Sequence, residues 1–535
     1  MDRRTFLLGL ALSPALMHCQ RSTPTQFGGT LLGPNHMAGH QLRQADFPAF
    51  SSTQRTKVAI VGAGVSGMAA GWYLQKHQMD DVALLELEAE VGGNARSGKN
   101  TISAYPWGAH YLPLPNHDNV LLKQFLAETG AITANVDSHR PLYQERYLCF
   151  APQERLFIHG QWQEGLRPDH GLGHRERAEI QAFEKQMQVF REATGRDNKP
   201  AFTIPLAASS HDPQFTMLDS ITMAEYLHGQ GWHSAPLHWY VNYACRDDYG
   251  MPHTSISAWA GIHYFASRRG QAANADTDQV LTWPQGNAWL TQQLANPQQD
   301  AIHTRQLVHA IQLEAHHVTV DVYDLTTQQT TRWIADHVIY ASPLHTLPYV
   351  LRNDPSLTQA AQTIRHAPWL VANLSINQPD QLNGNLPLAW DNVLYDSAGL
   401  GYVVANHQDT QRYHDQLVLT YYRALAHSDE HQARQQLYAG TWTSLQTSIV
   451  QDLQKAHPEL SQHILNMDIW RWGHAMTYPQ PGFLTNQARQ LLNHTHPQLH
   501  IAHTDAAGIS IFEEAFAQGV RAAKNILGKN NHSTT

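Results

Sequence analysis

Gly62, Gly64 and Gly67 stand in a G-x-G-x-x-G spacing directly after the apolar run 58–61. A second apolar run, 82–85, ends at Glu86, roughly twenty residues beyond the last glycine. The chemistry these residues do is binding. Gly62 permits a sharp turn, Gly64 removes the side chain that would hold a pyrophosphate off the backbone, and Gly67 lets the next helix pack close to the strand. Val65 and Ser66 open that helix, where free N–H groups and the positive dipole end meet phosphate oxygens. Glu86 offers acceptors to a ribose hydroxyl pair. Strand, turn and helix start in this order predict a dinucleotide site.

A second group lies near the other end of the chain. Residues 500–505 read as a short strand with a polar end, closed by Asp505, and Gly508 marks a turn. Ser510 and Glu513 have the spacing of a capping box. Phe512, Ala515, Phe516, Gly519, Val520, Ala523 and Ile526 then recur at helical spacing, so that stripe must face a core. A buried strand, a polar turn and a capped helix start make a second anion-holding end.

Elements able to position these groups are α/β layers, because helical and strand patterns alternate along the chain. Residues 306–313, 318–322 and 337–340 read as strands of a meander around the turn-rich stretch 324–331. The last of them stops at Pro343. The 535 residues suggest about three domains. A hydrophobic content of 42%, a charged content of 15% and a net charge of −9 describe a globular chain without a basic run, so nucleic acid is not an expected partner. The 35 histidines are scattered, with no pair at metal-ligand spacing beside a carboxylate, and no metal is expected. No Cys-x-x-Cys pair occurs, which removes support for zinc, iron–sulfur and dithiol chemistry. Cys149 and Cys245 read equally as one disulfide or two buried thiols.

The beginning of the chain has a different character. Arg3-Arg4-Thr5-Phe6-Leu7 precedes an apolar run over 7–17, too short to span a bilayer as a stable helix. It resembles a twin-arginine signal, here assigned to 1–20, whose export machinery carries folded proteins. A periplasmic or otherwise exported location follows as an expectation. A membrane anchor through Cys19 is the alternative to a cleaved soluble form, although His18 suits lipid attachment poorly. Residues 21–54, polar and punctuated by Pro and Gly, read as a loosely packed linker.

Four segments together resemble the flavin-containing amine oxidases, in the wider superfamily of protoporphyrinogen oxidases and phytoene desaturases. They are the Gly62–Gly64–Gly67 loop with Glu86, the double glycine Gly92–Gly93 within 91–97, the run 283–290 followed by Leu307 and Val308, and the stretch from His503 through Gly519 and Ala523. The resemblance implies an α/β fold: a Rossmann-type FAD-binding domain from 55–140, 280–345 and 485–530, with an interleaved α+β substrate domain from 141–279 and 346–484. It implies FAD rather than NAD as cofactor, held by Gly62, Gly64, Val65, Ser66, Gly67, Glu86, Gly92, Gly93, Asn94, Arg96, Val308, Asp505 and Ile511. Val308 would lie beside the adenine and Asp505 on the ribityl chain. No cysteine follows position 245, so flavin attachment through a cysteine of the C-terminal half is excluded and FAD is expected to be non-covalent.

Two departures from the family pattern stand out. The strand expected at 369–376 holds no lysine, where many amine oxidases keep one near flavin N5. Ile511 also replaces an aromatic residue two positions before the glutamate of the last motif. Candidates to line the reacting site are therefore His110 and Tyr111, after Trp107, and Trp472 and His474 in the late tryptophan segment. His110 and Tyr111 are assigned as base or orienter, Trp472 and His474 as pocket wall. Arg246-Asp247-Asp248 reads as a salt-bridged loop or as an attractor of cationic substrate. Tyr264 and Arg268 carry only core and surface readings. The expected function is hydride transfer from an amine-bearing carbon to flavin N5, with oxygen or a quinone as electron acceptor. The alternatives are an FAD-dependent desaturase of a hydrophobic substrate and a non-catalytic flavin-binding protein.

Overall fold

Two sheets share the chain, and each gathers strands from distant stretches of it. The computed structural model describes residues 27–44, 46–410, 415–426, 429–494 and 496–528. The signal read at 1–20 and Cys19 lie outside the described residues. The first sheet has seven strands: Ile302–His303, Val82–Leu85, Phe50–Val61, Thr330–Tyr340, Val318–Asp324 and Gln306–Leu313 in spatial order, with Leu499–Ile501 alongside Thr330–Tyr340. Residues 58–61 run parallel to Val82–Leu85 on one side and to 337–340 on the other. Both faces of this centre are covered, which is why Val58, Ala59 and Ile60 are all buried instead of alternating with polar residues.

Helix Val65–Lys76 follows the glycine loop and packs on helix Phe512–Ile526. A Cβ on Gly519 would lie 2.0 Å from the Ser66 carbonyl oxygen, so only glycine allows this approach. The second sheet has eight strands: Leu31–Leu32, Ile464–Thr477, His366–Asn377, Gln416–Ala424, Gly401–Val404, Asp391–Leu394, Glu154–Ile158 and Gln161–Glu164. Cys149 and Cys245 are free and buried. Among the described residues no helix is long and apolar enough to cross a membrane, and no cluster of three or more His, Cys, Asp or Glu side chains could hold a metal ion.

Three local expectations are corrected. The described part of the supposed linker is ordered. Leu31–Leu32 pairs with Ile469 and Trp470, His36–His40 is a helix capped by Asn35, and residues 50–56 extend the parallel strand against 330–335. Thr30 N–H donates to Asp468, and Arg332 covers the Phe50 ring at 4.0 Å. Polar side chains belong there because the strand's outer half is exposed while its backbone is still paired. Secondly, Arg246, Asp247 and Asp248 lie in helix Ala235–Tyr249, which ends at Gly250 in the left-handed region, instead of in a loop. Thirdly, the capping box at Ser510 does not form. The helix begins one residue later than that box requires, with Ile511 at its N-cap, and Ser510 Oγ instead accepts from Thr477 N–H at 3.0 Å. Ser510→Ala should therefore cost the acceptor for Thr477 N–H and a longer contact to the Thr504 hydroxyl at 3.4 Å, about 1 kcal/mol in a urea unfolding titration, without shortening the helix. A loss above about 3 kcal/mol would contradict this assignment.

Candidate functional site

The sharp turn after the buried strand is made by Gly62, at φ +102°. Its N–H donates to the Leu85 carbonyl at 2.9 Å. Gly64 caps the following helix in an extended conformation with no side chain on the first turn, and no acidic residue stands in that turn. The N–H groups at Val65 and Ser66 thus face an open cavity with the positive end of the helix dipole behind them. Gly92 N–H donates to the Ala63 carbonyl, and Gly93 lies so close to Gly64 that a Cβ on it would be 3.3 Å from the Gly64 Cα. The two glycine turns therefore pack backbone to backbone, leaving no side chain between them and a ligand.

Glu86 is fixed from both sides. Its Oε2 accepts from Ala63 N–H at 2.7 Å and its Oε1 from Glu88 N–H at 2.9 Å. Burial pushes its carboxyl above the usual range, and those two amides partly oppose the shift. Arg96 pairs with Glu88 at 3.4 Å and lies over the Trp470 ring, but its Nε is buried without a partner. The Asn94 side chain donates to the Ala475 carbonyl, tying the double-glycine turn to the second sheet.

These groups share one cavity of about 990 Å³, at the upper end of the range for small-molecule sites. It is lined by Gly62, Gly64, Val65, Ser66, Glu86, Gly92, Gly93, Asn94, Arg96 and Val308, and at its other end by Asp505, Ile511, Trp472 and His474. Gly67 lies beneath it, buried against Gly62. Both ends of the dinucleotide pattern thus face one space. Asp505 is turned inward: its Oδ2 accepts from Leu344 N–H at 2.8 Å and pairs with His366 Nε2 at 2.9 Å, and its Oδ1 lies 3.2 Å from His503 Nδ1. Burial alone would raise this carboxyl, but His366 and then His503 overcome burial and hold it well below the usual range. The carboxylate fixes the turn, and its unused lone pairs are what a ligand could meet.

The reacting-site candidates separate into two groups. Trp472 and His474 line the cavity. Trp472 Nε1–H donates to the Trp107 carbonyl at 2.6 Å, and Trp107, Trp470 and Trp472 form a run of rings with centroids 5.1 and 5.3 Å apart. His474 stacks on His345 at 3.9 Å, and burial depresses the proton affinity of both, His345 to about 3. His110 and Tyr111 do not line the large cavity. His110 stacks on Tyr422 at 4.4 Å, near Trp390, and burial lowers its pKa to about 4, so it is neutral near pH 7. Tyr111 Oη donates to Asp247 at 3.3 Å. Arg268, read as ordinary core or surface, donates from one guanidinium nitrogen to both carboxylate oxygens of Asp248, at 2.8 and 2.7 Å.

Several lining residues were not anticipated. Pro34 to Arg43 form one wall, and His345, His503 and Arg434 others. Pro34 and Asn35 carry a usable helix-start signal, since Asn35 accepts from Ala38 N–H as an N-cap. His345 and Arg434 had no local signal, because their placement depends on sheet register and on a helix that docks over it.

The sequence profile of the flavin containing amine oxidoreductases matches residues 65–527. Among solved structures, a triple mutant of putrescine oxidase aligns over 89% of this chain and 100% of its own, with TM-score 0.67 and 16% identity. Cyclohexylamine oxidase from Brevibacterium oxydans IH-35A aligns over 89% and 99%, with TM-score 0.64 and 16% identity. A fatty acid isomerase from P. acnes that produces CLA aligns over 87% and 97%, with TM-score 0.58 and 17% identity. No curated protein sequence matches the chain.

Proposed function

Because the chain belongs to the flavin-containing amine oxidoreductase family, we propose that it oxidises an amine with non-covalently held FAD. The observation that carries this is the single cavity joining the Gly64 loop and Glu86 to the turn at Asp505 and Ile511. The residues fit the cofactor. An uncapped helix start, a backbone-only cradle at Gly64 and Gly93, and the orphaned Nε of Arg96 suit a diphosphate, and Glu86 suits a ribose. Bound FAD supplies the redox step, taking a hydride from the carbon that bears the amine nitrogen.

The chain's own residues prepare that step. The N-terminus of Phe512–Ile526 turns its positive end to the cavity through Ile511, where it would stabilise negative charge on a bound cofactor. Trp472, backed by the rings of Trp107 and Trp470, gives the cavity an apolar stretch of wall.

The purified protein should be yellow, and anaerobic addition of an amine from a panel of mono-, di- and polyamines should bleach the flavin. A flavin that stays oxidised against the whole panel sinks the amine assignment. Reoxidation by air or by a soluble quinone distinguishes the two acceptors. The same proposal includes export, resting on Arg3-Arg4 and the apolar run after them. Arg3→Lys together with Arg4→Lys should leave the protein in the cytoplasmic fraction.

A further inference from the structure

Residues 27–44 run from one sheet to the other across a wall of the cofactor cavity, and the steps above leave them without a task. They precede the stretch that the family profile matches. One end is paired to the edge of the second sheet. The Gly28 and Thr30 carbonyls accept from Met467 and Ile469 N–H at 3.0 and 2.8 Å, and Thr30 N–H donates to Asp468 at 2.8 Å. The fit at Gly29 is backbone against backbone, for a Cβ there would lie 1.8 Å from the Met467 carbonyl oxygen. The other end belongs to the first sheet. Leu42 is buried in the apolar cluster that holds Val61, Leu85 and Val308, and just beyond it the Phe47 ring stacks on His309 at 4.2 Å.

The middle is held differently. Pro34, Asn35, His36, Met37, His40 and Arg43 line the cavity. Among the described residues, the stretch 34–41 makes a single hydrogen bond to the rest of the protein, from Asn35 N–H to Glu88 Oε1 at 2.7 Å. His36 adds a ring contact to Tyr438 at 5.0 Å. In the short helix His36–His40 only Ala38 is buried, and Met37 is 69% exposed although it lines the cavity. A segment with firm ends and a lightly held middle is one that opens locally while the fold stays intact. Its one tie is also informative. Glu88 uses its other oxygen to pair with Arg96, whose orphaned Nε suits the diphosphate. One carboxylate thus joins the crossing segment to the phosphate end of the cavity.

We propose that residues 34–43 are a strap closing over bound FAD, tied down at Glu88, and that the cofactor enters and leaves only when this strap lifts. A ligand filling the cavity meets the glycine turns on one wall and the strap on another, and Met37 and His40 are exposed side chains that such a ligand would cover. Lifting the middle of the segment opens the cavity without breaking either sheet. This rests on the FAD site proposed above and gives it a gate.

The test measures the rate of FAD uptake by the apoprotein and the rate of FAD release, both followed by flavin fluorescence in the full chain. Gly29 and Asp468 stand at the second-sheet anchor, and neither lines the cavity. Gly29→Ala pushes the segment's backbone off Met467, and Asp468→Ala removes the acceptor of Thr30 N–H. Each should speed uptake and release alike by about tenfold, the scale of one or two lost hydrogen bonds. Asp468→Ala introduces no clash and serves where Gly29→Ala does not fold. A wall that merely adds contacts would alter release alone, so faster release with unchanged or slower uptake overturns the gate. Unchanged rates in both variants overturn it too, and in either case the FAD site stands. A wild-type apoprotein that takes up no FAD overturns the cofactor site itself and the strap with it.

Discussion

Gly67→Val is expected to give a protein that does not retain FAD. The residue sits in the first turn of Val65–Lys76, directly under the loop that Gly62 begins. A Cβ there would lie 1.9 Å from the Gly62 carbonyl oxygen and 3.3 Å from the Ala341 Cβ. Both are fixed, since Gly62 N–H is bonded to Leu85 and Ala341 N–H to Val61. The obstacle is backbone, so no rotamer change relieves it, and overpacking of this kind costs about 1–3 kcal/mol or more. The helix start must move off the strand, taking the Val65 and Ser66 N–H groups away from the diphosphate position. A loss of 3 kcal/mol in cofactor binding is roughly a hundredfold. Gel filtration followed by the visible spectrum reads this directly. A variant that emerges with a full complement of flavin would show that the loop does not hold the cofactor.

Asp505→Ala should cost the fold about 3 kcal/mol, the scale for leaving two buried donors without the carboxylate that accepts from them. Asp505 is 1% exposed and its partner His366 3%. Alanine would leave His366 Nε2 and Leu344 N–H without their acceptor on largely buried groups. Three segments meet at this carboxylate: the turn after Thr330–Tyr340, the first residue of His366–Asn377, and helix Thr504–Ala507. Their junction forms one end of the cofactor cavity. The same residue sets a pH dependence. Its folded carboxyl lies well below the unfolded value of about 3.9, so its contribution is fully present above that value and is lost as the pH falls through the folded one. Urea titrations at pH 7 and at about pH 3.5 should therefore show wild type losing part of its margin over Asp505→Ala in acid. A difference below about 1 kcal/mol at pH 7 would mean that the junction is held by something else.

The parts of the fold legible in the sequence are those whose information is local. The run 58–61 with its glycines, the strand Val82–Leu85 and the apolar stripe from Phe512 to Ile526 each fit within one window. What escaped is the non-local part. Residues 50–54 looked like linker because an exposed strand half has no apolar alternation, and its partner lies at 330–333. Asp247 looked like part of a loop because a polar dipeptide before glycine is also how a helix ends. Ser510 had the right spacing for a cap, but its hydroxyl was claimed by Thr477 on another strand. His110 and Tyr111 lie side by side in the chain, yet neither the stacking on Tyr422 nor the bond to Asp247 can be inferred without the register of the second sheet.

The strand Phe50–Val61 and the pairing of Leu31–Leu32 also constrain when the protein can finish folding. These segments leave the ribosome long before their neighbours: Phe50 pairs with Thr330, Leu31 with Ile469, and Thr30 bonds to Asp468 across 438 positions. Closing loops of that length is slow, and the waiting edges stay unpaired meanwhile. The cleft can thus close only once the segments carrying Asp505 and helix Phe512–Ile526 have been made, so cofactor capture must wait for their synthesis.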